Sequence, residues 1–134
     1  MMMTMFKTTS MRTVTVGAML LAVAFMSSCT KKVKIGKDEV IYKGTATEQE
    51  AQKLGEALKT AQYFSDNEAS VILSKGTEGT IISYVVKDGF WEDQKNVEGF
   101  AELSRGVAPV VGGLPIKVRL LNTSGDTKKE IPVS

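Results

Sequence analysis

The chain has 134 residues, with 17 Lys and Arg, 15 Asp and Glu, one Cys and no His. That length favours one domain. The absence of His excludes Ser-His-Asp and Cys-His catalysis, and a single Cys excludes an internal disulfide and a Cys-rich zinc cluster. A net charge of +2 makes no case for nucleic acid.

The first strong feature lies at the N-terminus. Lys7 and Arg12 are the only charges before Lys31. Val14 to Met26, VTVGAMLLAVAFM, is an apolar run of about 13 residues, the length of a signal-peptide core and short of the roughly 20 that a membrane-spanning helix needs. Ser27, Ser28 and Cys29 follow directly. This N-terminal fifth resembles a bacterial lipoprotein signal peptide, with Met26-Ser27-Ser28-Cys29 in the place of the lipobox. Met26 stands where such signals usually carry Leu.

The resemblance implies that residues 1–28 are removed and that the Cys29 thiol carries the lipid. Two or more fatty-acyl chains such as palmitate would then give stable anchoring. Thr30 follows the cysteine where Asp would be the retention signal of some Gram-negative lipoproteins. That favours the outer membrane, on its periplasmic or surface face. The mature chain would hold 15 basic and 15 acidic residues, unevenly placed. Lys31, Lys32, Lys34 and Lys37 crowd behind Cys29, while residues 38–134 hold 11 basic and 15 acidic residues. Residues 29–37 read as a lipidated cysteine and basic tether, and residues 38–134 as one α+β domain.

Within that domain, Glu39 to Lys43 has the β-branched and aromatic composition of a strand. Thr47 and Glu50 have capping-box spacing, which predicts a helix to about Phe64. Its stripe is Ala51, Leu54, Ala57, Leu58, Ala61 and Phe64. Gly55 beside the stripe suits close approach to a sheet. Val71–Leu73 and Ile81–Val86 read as strands joined by the turn at Gly76–Gly79. A second helix is expected over about 94–108, capped by Asp93, with Val97, Phe100, Leu103 and Val107 facing the core. Pro109 ends it. Pro115 to Asn122 alternates as a strand, and Lys129 to Val133 reads as a short edge strand that tolerates Pro132. The order β-α-β-β-α-β predicts a ferredoxin-like antiparallel sheet with two helices on one face, plus the C-terminal edge strand.

No constellation demands catalysis. Glu92-Asp93 is an adjacent carboxylate pair, yet Asp93 stands at an expected helix N-cap. Ser74 and Lys75 are neighbours on a strand and so point to opposite faces. Gly76–Thr80 and Gly112-Gly113 lead into strands and do not form a phosphate-binding loop before a helix. Phe90 and Trp91 follow Asp88-Gly89 at the sheet rim, with Trp91 the stronger partner-binding anchor. Lys117 and Arg119, with Lys75, are expected to form a basic face on the helix-free side. The lack of an aromatic run of the RNA-binding type argues against a nucleic-acid partner. The expectation is a lipid-anchored envelope module that binds an envelope protein or polymer through Trp91, Phe90, Lys117 and Arg119. Neither catalytic residues nor a metal or cofactor is expected in it. A small carboxylate-dependent enzyme acting on cell-wall or extracellular material is the alternative.

Overall fold

The computed structural model describes residues 31–134. Residues 1–30, which include the expected signal segment, Cys29 and Thr30, lie outside the described residues. Among the described residues, no helix is long and apolar enough to cross a membrane.

Six strands form one mixed sheet in sequence order: β1 (Lys32–Ile35), β2 (Asp38–Gly44), β3 (Ser70–Gly76), β4 (Gly79–Val85), β5 (Ile116–Leu121) and β6 (Thr127–Val133). Helix α1 (Glu48–Thr60) joins β2 to β3, and α2 (Gln94–Val107) lies between β4 and β5. The pairs β2/β3 and β4/β5 are parallel, and the other three are antiparallel.

This overturns the ferredoxin-like antiparallel sheet. In that plan another strand separates the two strands flanking each helix. Here each helix returns the chain to the adjacent position, so both flanked pairs are parallel. An alternation of strand and helix patterns is the same in both cases. The C-terminal strand is also not a lone addition, because β1 forms the opposite edge. Residues 32–35, expected within a tether, pair with β2 from Lys32 opposite Ile41 to Ile35 opposite Asp38. Val33 and Ile35 are buried in the main core, which makes this segment part of the domain.

Both helices cover one face. The cross-strand row Val33, Val40, Val71, Tyr84 and Leu120 lies on it. Helix α1 approaches this row so closely that a Cβ at Gly55 would overlap Ile35 and crowd Val40. Helix α2 reaches it through Phe100, whose ring centroid is 4.7 Å from that of Tyr84. The two crossovers step the same way along the sheet, but β4 and β5 run opposite to β2 and β3. They therefore have opposite hands, and one departs from the usual right-handed connection.

Local signals explain the elements. The Thr47 hydroxyl accepts from Glu50 N at 3.1 Å, and the Glu50 carboxylate accepts from Thr47 N at 3.0 Å. Asp93 caps α2 by accepting from Lys95 N at 2.9 Å. The helix ends at Val107 and gives way to a 3-10 turn, Ala108–Val111, which contains Pro109 and whose Ala108 and Val111 are buried. Both sheet edges carry exposed lysines, and β6 adds Pro132, features that discourage pairing with another chain.

Candidate functional site

The most developed surface feature lies at one end of the sheet, where β4 and β5 finish. Chain direction makes this the carboxyl end of a parallel strand pair, the usual place for ligand sites in open sheets with helical crossovers.

Three segments build it. Helix α1 ends in a Schellman arrangement: Tyr63 N donates to Leu58 O at 2.9 Å, and Gln62 N donates to Lys59 O at 2.9 Å. Gln62 takes the left-handed conformation, with φ of 69°, at the position where Gly is usual. The turn carries Tyr63 and Phe64 back toward the core. The following loop is held by Asp38, a carboxylate only 1% exposed. It accepts from the backbone of Asp66 at 2.9 Å, Asn67 at 3.2 Å and Ala69 at 2.8 Å. These three bonds organise a loop in which Asp66 and Glu68 also have positive φ, of 62° and 59°. The third segment begins at Gly89, whose φ of 85° turns the chain into the 3-10 turn Phe90–Glu92.

Aromatic rings run from the core to this surface. Tyr63 meets Tyr84 at 5.4 Å and Phe100 at 5.6 Å, both edge-on. Phe100 meets Phe90 at 5.7 Å, again edge-on. Below them the Tyr84 hydroxyl shares a buried hydrogen bond of 2.8 Å with Ser104. Phe90 remains 37% exposed. A groove of about 540 Å³ runs past it, lined by Tyr63, Phe90 and Phe100 together with the 67–70 segment and Val85–Lys87. A second hollow of about 270 Å³ lies against Phe90, Phe100, Asn96 and Leu103. Burial, then the negative charge of Asp38, pushes the Tyr63 hydroxyl up to about 12. Burial pushes Tyr84 up as well, against the opposing hydrogen bond from Ser104. Both phenols are therefore neutral at physiological pH.

The residues expected at the site are only partly brought together. Phe90 is at the groove, but its neighbour Trp91 is half-buried against the core and lines neither hollow. Lys117 and Arg119 do lie on the helix-free face, in an ion-pair lattice. Lys117 reaches Glu78 at 3.3 Å, and Arg119 reaches Glu130 at 2.7 Å and Glu78 at 3.5 Å. The Arg119 hydrogen bond holds Glu130 below the usual carboxylate range. Lys75 is not on that face. It shares the helix side with Leu73 and pairs with Glu50 on α1. Burial alone would raise Glu50, but its bonds with Lys75 and Thr47 lower it on balance. The expected basic face is therefore largely neutralised and lacks Lys75.

Glu92 and Asp93 do not line the groove, and the Asp93 carboxylate is committed to its cap. Glu68 is the groove's acidic side chain and Lys87 its basic one. Among the described residues, no group of three or more His, Cys, Asp or Glu side chains gathers as a metal-binding set. The sequence reading missed Tyr63 and the 66–70 loop. Asp38 signalled them, since an acid opening an apolar strand is suited to collecting backbone donors.

No curated protein and no solved structure matches the chain. A family model, AF_1994_N, described as a family N-terminal domain, matches residues 32–131. The match begins at the first residue of β1 and ends within β6, so it spans all six strands and both helices. The chain belongs to the AF_1994_N family.

Proposed function

We propose that this is a lipid-anchored cell-envelope protein whose domain binds an envelope protein or polymer at the Phe90 groove, without itself catalysing a reaction. The observation that carries the binding reading is Phe90: a large ring 37% exposed at the rim of an aromatic-walled groove. Aromatic side chains in such positions supply large contact area at small entropic cost and are enriched among binding hot spots. The carboxylates offered by the enzyme alternative, Glu92 and Asp93, lie outside this groove. The anchoring reading is supported by the apolar run Val14–Met26 and the Met26-Ser27-Ser28-Cys29 sequence that follows it. The outer membrane is the favoured location, on the strength of Thr30 after the cysteine.

The binding test is partner capture from envelopes by the full-length protein, with Phe90→Ala and Trp91→Ala compared. Phe90→Ala should weaken capture by about 1–2 kcal/mol or more and lower the thermal melt only modestly, through its lost edge-on contact with Phe100. Trp91→Ala, which removes a half-buried ring, should lower the melt. Undiminished capture by a folded Phe90→Ala protein would exclude the groove. For the anchor, Cys29→Ser should abolish labelling by radioactive palmitate and release the protein from membranes. Retention of that variant after a salt wash would exclude lipid on Cys29.

A further inference from the structure

We infer that the β1–β2 hairpin is a membrane-seating edge that lies along an anionic lipid surface. This rests on the anchoring reading above and adds an orientation to it.

Charge is the first support. Residues 31–44 contain five lysines against Asp38 and Glu39, a net of +3. Residues 45–134 contain 10 basic and 13 acidic residues, a net of −3. The local excess is sharper than the count, because Asp38 is buried and committed to backbone donors. Lys32 pairs with Glu39 at 3.5 Å. Lys31, Lys34, Lys37 and Lys43 are exposed and form no ion pair among the described residues. Glu39 and Glu68 share the open hollow with Lys34 and Lys37, so the surface is cationic without being free of acid.

Covalent reach is the second support. The sheet starts at Lys32. Only three peptide steps separate it from Cys29, a span of about 10 Å at full extension. A lipid on Cys29 would thus keep β1 within about 10 Å of the headgroup layer, close enough for its lysines to meet anionic lipid, while the charges set which edge faces the surface. Strand β1 is an outer strand, so nothing of the sheet lies beyond it. Lysines near an anionic surface each contribute roughly fivefold to its occupancy. The lysines of β6, Lys128 and Lys129, sit on the opposite edge and serve as an internal control.

The experiment uses the full-length protein processed in cells and reconstituted into vesicles. One set contains phosphatidylglycerol, and the other contains only phosphatidylcholine. An environment-sensitive fluorophore is attached in Lys34→Cys or in Lys128→Cys, and acrylamide quenching is measured. Position 34 should be protected and position 128 freely quenched in the anionic vesicles. Adding Lys31→Gln and Lys37→Gln to Lys34→Cys should remove most of that protection, as should phosphatidylcholine alone. Equal quenching at 34 and 128, in protein whose mass shows lipid on Cys29, would overturn the seating edge. Protein recovered with an unmodified Cys29 would overturn the anchor itself, and the seating edge with it.

Discussion

Replacing Gly55 with alanine sets two effects of similar size against each other. In the interior of α1, glycine costs about 0.8–1 kcal/mol relative to alanine, so a free helix would gain stability. In the folded domain the new Cβ would stand 2.5 Å from Ile35 Cγ1, 2.9 Å from Ile35 Cδ1 and 3.3 Å from Val40 Cγ2. Ordinary carbon contacts are about 3.5–4.0 Å, so β1 or the helix must move by about 1 Å. Overpacking by one methyl group costs about 1–3 kcal/mol. The expected balance is a net loss of about 1 kcal/mol, or about 4–8 °C in Tm for a domain of this size. Urea and thermal unfolding of the wild type, Gly55→Ala, Ile35→Ala and the double variant measure it. The double variant should be more stable than the sum of the single losses predicts, by about 0.5 kcal/mol or more, because Ile35→Ala removes the overlapping atoms. A rise in Tm for Gly55→Ala would refute the reasoning. It would mean that residues 32–35 do not pack under the helix and act as the spacer that their composition suggests.

Asp38→Ala should cost about 3 kcal/mol, because it removes a buried carboxylate that accepts three part-buried backbone donors of the loop. Asp38→Asn should cost less, since it retains one accepting oxygen; hydrogen exchange at the amides of 66, 67 and 69 reports whether the loop has opened. At alkaline pH the domain should lose stability as pH rises above about 10, toward the raised value of about 12 for Tyr63. The sign follows from linkage: the unfolded phenol ionises first, so its stabilising difference is whole below pH 10 and is lost as pH climbs through the folded value. Ultraviolet titration and unfolding curves for the wild type and Tyr63→Phe check this; an unchanged pH dependence in the variant would remove Tyr63 from the account.

Short-range signals were sufficient for most of the elements. Thr47 with Glu50, Asp93 before an apolar stripe, and Pro109 after it each act within one or two turns. Both helices begin at those caps, and α2 ends at Val107, just before Pro109, but α1 stops at Thr60, short of the expected Phe64, where Gln62 turns left-handed. The hairpin between β3 and β4 is equally local, because Gly76 to Gly79 close the chain on itself. Gly55 marked the helix face that meets the sheet, since only a residue without a Cβ permits that approach. Strand order is different in kind. Whether a crossover returns beside its first strand or one strand further away depends on packing between distant segments, and the alternation of patterns along the chain is the same either way. Residues 32–35 illustrate the same limit: KVKI is too short and too basic to declare itself a strand, and it becomes one because β2 supplies hydrogen-bonding partners and α1 covers Val33 and Ile35. At the surface, Phe90 and Trp91 are adjacent and chemically alike. Composition favoured the larger ring, but the turn that begins at Gly89 packs Trp91 against the core and leaves Phe90 at the groove. Local chemistry therefore determined the elements and their caps, while the strand order, the edge at β1 and the exposed ring were decided by contacts between residues far apart in the chain.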